Sequence, residues 1–167
     1  MVDYWHRGYR FNELRLYVDG YLAGLRSANI LEPYQLNRLE EEAIRFGYPI
    51  AKMVADAEIG QSIAIDRRKA VIAVEAIEGT NKMIERVGRL DIPEAIFIKV
   101  SRTRQDFRFD IPTIGITTIE GIRDVKGSVL AVTAEEMLFF QKEAAVALAD
   151  ENDIAVVAVE DAEYTVD

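Results

Sequence analysis

The chain has 167 residues, half of them hydrophobic and 29% charged, with 20 basic against 29 acidic side chains and a net charge of −9. That is the balance of a soluble globular domain, not of a disordered one. A surface this acidic argues against nucleic-acid binding, which draws on lysines and arginines that neutralise phosphates, and against adsorption to anionic membranes. The chain has no cysteine, so a disulfide framework and a zinc–thiolate site are both excluded.

In chain order, residues 9–30 read as an amphipathic helix with aromatic residues among its leucines and with Gly20 and Gly24 suited to close packing. A second helix is predicted to start near Pro33, with Leu36, Leu39, Ala43 and Ile44 as its apolar face and Gly47 as its stop. A short segment follows from Ile50 to Ala55. The character changes at Gly60. Ser62–Asp66 and Ala70–Glu75 are short apolar runs on either side of the polar turn Asp66-Arg67-Arg68-Lys69, the pattern of a β-hairpin.

Met83, Ile84 and Val87 then stand at helical spacing, with Thr80 or Asn81 as the predicted N-cap. Ala95–Val100 reads as a buried strand and residues 101–112 as a polar loop. A short helix near Thr118–Arg123 and a strand over Ser128–Val132 come next. Propensity favours one long helix over residues 133–152, before a last strand at Ile154–Val159 and an acidic tail. The predicted organisation is a helical segment over residues 1–46 and an α/β domain over residues 47–167. No apolar run is long enough to span a bilayer and the N-terminus lacks the apolar core of a signal peptide, so a cytoplasmic location is expected.

Two segments carry residue types suited to phosphate chemistry. In Ala73-Val74-Glu75-Ala76-Ile77-Glu78-Gly79-Thr80-Asn81, a strand ends at two carboxylates and a helix begins at once. Backbone N–H groups at a helix start attract anions, Gly79 lets a ligand approach the backbone, and Thr80 can donate a hydroxyl. The competing reading makes Thr80 a cap and leaves Glu75 and Glu78 solvated. In Gln105-Asp106-Phe107-Arg108-Phe109-Asp110, an extended backbone would set Asp106, Arg108 and Asp110 on one face, with Phe107 and Phe109 anchored in the core. The carboxylates would hold a cation or orient water, and the arginine would pair with phosphate oxygens. The competing reading is a solvated edge with a surface ion pair. Lys99, Arg102, Arg104 and Arg108 read as a local basic cluster. His6 is the chain's one histidine and no nucleophilic triad is recognisable.

The strings Gly60-Gln61-Ser62, Ala73 to Thr80 with Met83-Ile84, and Gln105 to Gly115, followed by Ala144–Ala149 and Ile154–Val159, resemble the C-terminal domain of the LpxI family over about residues 47–160. The resemblance implies an α/β domain built on a small mixed sheet flanked by helices. It also implies hydrolysis of the pyrophosphate of UDP-2,3-diacylglucosamine in lipid A synthesis, giving UMP and the lipid 1-phosphate, with Mg²⁺ or Mn²⁺. On that reading Asp106 and Asp110 are the catalytic candidates. Glu75, Glu78, Asp106 and Asp110 are the metal candidates, and Gly79, Thr80, Asn81, Gln105 and Arg108 hold substrate or phosphate. The resemblance further implies a short strand at Met137–Phe140.

Three departures set the alternatives. The family's larger N-terminal domain is not matched by residues 1–46. Asn81 and Glu85 stand where the family commonly has an aspartate and a basic residue. Arg102-Thr103-Arg104 replaces a Lys-Pro-Gly-like turn. The expected partners are a nucleotide-linked lipid or sugar, peripheral contact with a membrane through such a lipid, and either a second copy of the chain or a separate chain supplying the absent domain. The alternative function is a non-catalytic nucleotide- or phospho-ligand-binding domain, or an oligomerisation domain.

Overall fold

The computed structural model describes residues 33–161; the expected helix over residues 9–30, His6 and most of the acidic tail lie outside the described residues. Contacts divide the chain into residues 1–38 and 39–167. The second unit is a mixed α/β domain.

The predicted hairpin forms as β1 (Ser62–Ile65) and β2 (Val71–Val74), paired antiparallel across the Asp66–Lys69 turn. β1 also pairs antiparallel with β3 (Ile96–Lys99). β3, β5 (Val129–Thr133) and β7 (Ala155–Val159) then run parallel, giving the order β2-β1-β3-β5-β7. Every residue of β3 and β5 is buried. Such continuous apolar runs are expected of parallel strands covered on both faces.

One face packs against α1 (Pro33–Asp56), through Ala43, Ile44, Tyr48, Ala51 and Ala55 onto Ile63, Ile65, Ile96, Ile98 and Val129. The other packs against α2 (Thr80–Gly88), α3 (Ile116–Asp124) and α4 (Lys142–Glu151). There Met83, Ile84, Val87, Ile119, Ile122 and Ala145 meet Ala64, Ala73, Phe97 and Leu130. Burial of an Ile or Phe side chain of this kind contributes roughly 1.5–3 kcal/mol. Strand alternation thus sends Ile96 and Ile98 to the α1 face, and Phe97 and Lys99 to the three-helix face.

Two element predictions are corrected. Gly47 does not stop its helix: α1 runs through Gly47 and Pro49 to Asp56 and takes in the separate segment predicted at Ile50–Ala55. The missing side chain has a packing use instead, since a Cβ at Gly47 would lie 2.6 Å from Ile98 Cδ1 and 2.8 Å from Ile65 Cδ1. Residues 133–152 are not one helix. Leu138–Phe140 forms β6, which pairs in parallel with β4 (Thr113–Gly115) as a separate two-stranded sheet, and α4 begins only at Lys142. Helix propensity there yields to pairing with a strand some two dozen residues upstream. No described helix is long and apolar enough to cross a membrane.

Candidate functional site

The hairpin's second strand delivers the chain to Glu75, and α2 starts five residues later. Gly79 is the N-cap of α2, at φ 83°, ψ 162°, with no side chain capping the helix. That backbone region is open in practice to glycine alone. A Cβ placed on Gly79 would have no atom within 4 Å, so the glycine is demanded by conformation rather than by packing. The predicted cap is therefore corrected. Thr80 is the first helical residue, and its hydroxyl turns away from the helix end toward Glu75, donating to Oε2 at 3.1 Å.

Thr80 is the middle of a buried polar network. A hydroxyl has one proton and two lone pairs. The proton goes to Glu75, Lys99 Nζ donates to Oγ1 at 2.9 Å, and Ser62 Oγ lies 3.2 Å away. Lys99 also donates to the Thr113 carbonyl at 2.8 Å, which leaves one of its three N–H groups with no acceptor among the described residues. Lys99 is only 8% exposed and Glu75 only 9%. Burial holds the Lys99 ammonium below the ordinary lysine range, while the charges of Glu75 and Asp110 act in the opposite sense.

Of these groups, Thr80, Lys99 and Thr113 border a cavity of about 440 Å³. Its walls are Glu78–Lys82 at the start of α2, Lys99, Thr113–Thr118 across β4 and the start of α3, and Phe140 with Gln141 just before α4. Neither Gly115 nor Gln141, the N-caps of α3 and α4, makes a side-chain capping bond. Three helix starts with uncapped N–H groups therefore face one space, and each carries partial positive charge.

The second segment is only partly part of this site. Residues 106–110 are not extended: the N–H groups of Phe109 and Asp110 both reach back to the Asp106 carbonyl, at 3.0 and 3.1 Å. Asp106 also accepts the Arg108 N–H at 3.2 Å, a local side-chain turn of the kind aspartate favours. In a turn the period-two rule lapses. Asp106, Arg108 and Asp110 do not form a row, and Phe107 and Phe109 are not core anchors but 44% and 84% exposed. Asp106 is paired with Arg108 at 2.7 Å, and that bond holds its carboxyl below the usual range. Asp110 turns the other way. Its Oδ2 takes Gln61 Nε2 and Gln105 Nε2, each at 3.1 Å, and Arg102 Nη1 at 3.3 Å.

The structure thus sets Thr80 against Lys99, bonds Glu75 to Thr80, and brings the charges of Glu75 and Asp110 to bear on Lys99, while Glu78, Gly79 and Asn81 stand on the cavity wall. Gln105 supports Asp110, but Gln105, Asp106, Arg108 and Asp110 all lie outside the cavity lining. The basic cluster also divides: Lys99 is buried, and the Arg108 side chain is 80% exposed. Among the described residues, no three acids or histidines gather as a metal-holding group. Glu78 is occupied by Arg86 and the Ala76 N–H, and both oxygens of Asp106 by Arg108. Glu75 Oε1 and Asp110 Oδ1 have no donor among the described residues. One or two carboxylates are what Mg²⁺ usually takes from a protein when phosphates supply the rest.

The family model described as the LpxI C-terminal domain matches residues 27–157, from ahead of α1 into β7. The chain belongs to the LpxI family. The UDP-2,3-diacylglucosamine pyrophosphatase LpxI of Caulobacter vibrioides is 33% identical over 123 residues, covering 66% of this chain and 42% of that protein. The match to LpxI therefore spans well under half the length of this relative. The family model's match takes in the whole of α1 and so begins well ahead of residue 47.

Sequence reasoning missed Ser62, Thr113 and the start of α3 as parts of the site, and it misplaced Lys99. The signal for Lys99 was available: a lysine in phase with Phe97 at the end of an otherwise apolar strand must face the same layer as that phenylalanine.

Proposed function

We propose that this chain contributes to hydrolysis of the pyrophosphate bond of a UDP-linked lipid, UDP-2,3-diacylglucosamine being the substrate named for its LpxI relative. The observation that carries the reading is Lys99 and Thr80 on the wall of a cavity rimmed by helix starts, with the charges of Glu75 and Asp110 acting on that lysine from behind it, in a domain of that family. Phosphoanhydride hydrolysis asks a protein mainly for positioning and charge stabilisation. Water adds to one phosphorus, the bridging oxygen leaves with the other, and UMP and a sugar 1-phosphate are released. Gly79, Thr80 and Asn81 would hold phosphate at the start of α2. Asp110 would set the charge beside Lys99, and the exposed Asp106 with Arg108 would meet the substrate from the loop. Glu75 and Asp110 would hold Mg²⁺ or Mn²⁺. A divalent ion there would neutralise charge developing on the phosphate oxygens.

The test is UMP release from UDP-2,3-diacylglucosamine with and without Mg²⁺. Turnover should require the metal and should fall at least 100-fold in Asp110→Ala and in Asp106→Ala, in line with the loss of a group that stabilises charge in the transition state. Pure protein that releases no UMP under either condition ends this reading for the chain alone.

A second reading is favoured by the short span of the relative that is matched. The chain would then bind a nucleotide or phospho-ligand without turning it over, or act with a second chain or a second copy that supplies the rest of the cleft. Ligand-dependent stabilisation without product, and turnover restored by a co-purifying protein, are its signatures.

A further inference from the structure

Lys99 belongs to neither acidic string. It is buried in the sheet, yet it lines the cavity, and one of its N–H groups has no acceptor among the described residues. A buried ammonium costs several kcal/mol of desolvation, which a neighbouring carboxylate offsets only in part. A methionine would fill the same space in the strand without that cost. The charge is therefore poorly explained as packing.

The network around Lys99 holds it in place. Thr80 fixes the ammonium from α2, and Thr113 fixes it from β4, directly before the start of α3. One ammonium thus ties together two of the helix starts that face the cavity. The first turns of both helices contain no acidic side chain, and Glu78, the acid on the cavity wall just before α2, is paired with Arg86 at 2.7 Å.

We propose that Lys99 is the residue that binds one phosphate group of a diphosphate ligand, with the backbone N–H groups at Ile116–Thr118 receiving the neighbouring phosphate. This deepens the function proposed above and rests on it only for the chemical class of the ligand. The assignment separates two jobs. Glu75 and Asp110 are anionic and can serve a cation, whereas Lys99 and the start of α3 serve the anion directly. The volume of about 440 Å³ exceeds what one diphosphate needs, so the group attached to it has room at the mouth.

The experiment uses the full chain and inorganic pyrophosphate, without metal, read by calorimetry and by thermal stabilisation. The wild-type chain should bind. Lys99→Met combined with Glu75→Gln removes both buried charges and avoids leaving one uncompensated. This variant should keep its fold and lose at least tenfold in affinity. Lys99→Arg should retain part of the affinity. Failure of the wild type to bind at millimolar pyrophosphate overturns the proposal. So does unchanged affinity in the double variant.

If the double variant does not fold, amide shifts of the labelled wild-type chain decide. Perturbation centred on Gly79–Asn81 and Ile116–Thr118 supports the site, and perturbation elsewhere overturns it. Lys99-dependent pyrophosphate binding without UMP release supports this assignment and ends the hydrolase reading. UMP release that survives both Lys99→Arg and Lys99→Met overturns this assignment and leaves the hydrolase reading standing.

Discussion

The two faces of the sheet each bury a polar network, and the networks differ in kind. On the α1 face, Tyr48 donates to Asp161 Oδ1 at 2.5 Å and shares a 2.8 Å hydrogen bond with Thr133, while Lys52 pairs with Asp161 at 2.8 Å. Ser101 adds its N–H to Thr133 and its hydroxyl to Glu136. Burial, with the hydrogen bond to Asp161 next, pushes the Tyr48 phenol well above its ordinary range. It therefore stays neutral and acts as a tie between α1, β5 and the end of β7. The α1-face network borders a cavity of its own, of about 330 Å³, but the side chains around it include Glu135, Glu136, Glu160 and Asp161, which repel anions. On the other face the central group is a buried cation that lines its cavity and has one N–H to spare. A buried polar group that is neutral and tied into its surroundings is explained by architecture, because an unpaired one would be costly. A buried charge beside a cavity calls for a ligand.

Mutations on the two faces should therefore separate stability from binding. The largest effect is expected for Gly79→Ala, which forces a side chain into a backbone region used essentially by glycine. A loss of about 1–3 kcal/mol in denaturant unfolding is expected, together with weaker pyrophosphate binding, since the strain is relieved only by moving the start of α2. Tyr48→Phe should cost about 1–2 kcal/mol, because it strips a hydrogen bond from Thr133 and Asp161. Its pyrophosphate affinity should equal wild type when measured below the unfolding transition. A Tyr48→Phe chain that folds normally but no longer binds the anion would break the contrast between the faces.

The smallest effect is a pH dependence. Lys99 loses its proton at a lower pH than an exposed lysine because burial penalises the charged form, although Glu75 and Asp110 resist this. Pyrophosphate favours the protonated form, so binding should take up protons as pH rises toward the lowered Lys99 range, and affinity should fall with further rise. In the free chain the folded state binds fewer protons than the unfolded state between the two Lys99 pKa values, so stability should rise with pH across that window. Calorimetry in buffers of different ionisation enthalpy reads the proton uptake, and Lys99→Arg should abolish it.

Local pattern carried much of the fold. The hairpin is written in two apolar runs around a polar turn, β3 in a continuous apolar string, and α2 in the spacing of Met83, Ile84 and Val87. Two errors fall where distant partners decide, and a third where a local turn competes with the extended backbone. Residues 138–140 become a strand only because β4 is available to pair with them. Gly47 marks a close approach and not a helix end, because Ile65 and Ile98 beneath it leave no room for a Cβ. The loop at 106–110 departs from the extended reading because Asp106 folds the backbone over itself.

For the site, the residue types at Glu75–Asn81 and Gln105–Asp110 and the family likeness were legible in the chain alone, since composition and short-range order are properties of the string. Tertiary structure alone decided which acids stand near one another. It paired Asp106 and Glu78 with arginines, turned Asp110 toward Lys99, and buried that lysine between two helix starts. The physical reason is that burial and pairing set the energy of a charge, and both depend on neighbours brought together from across the chain.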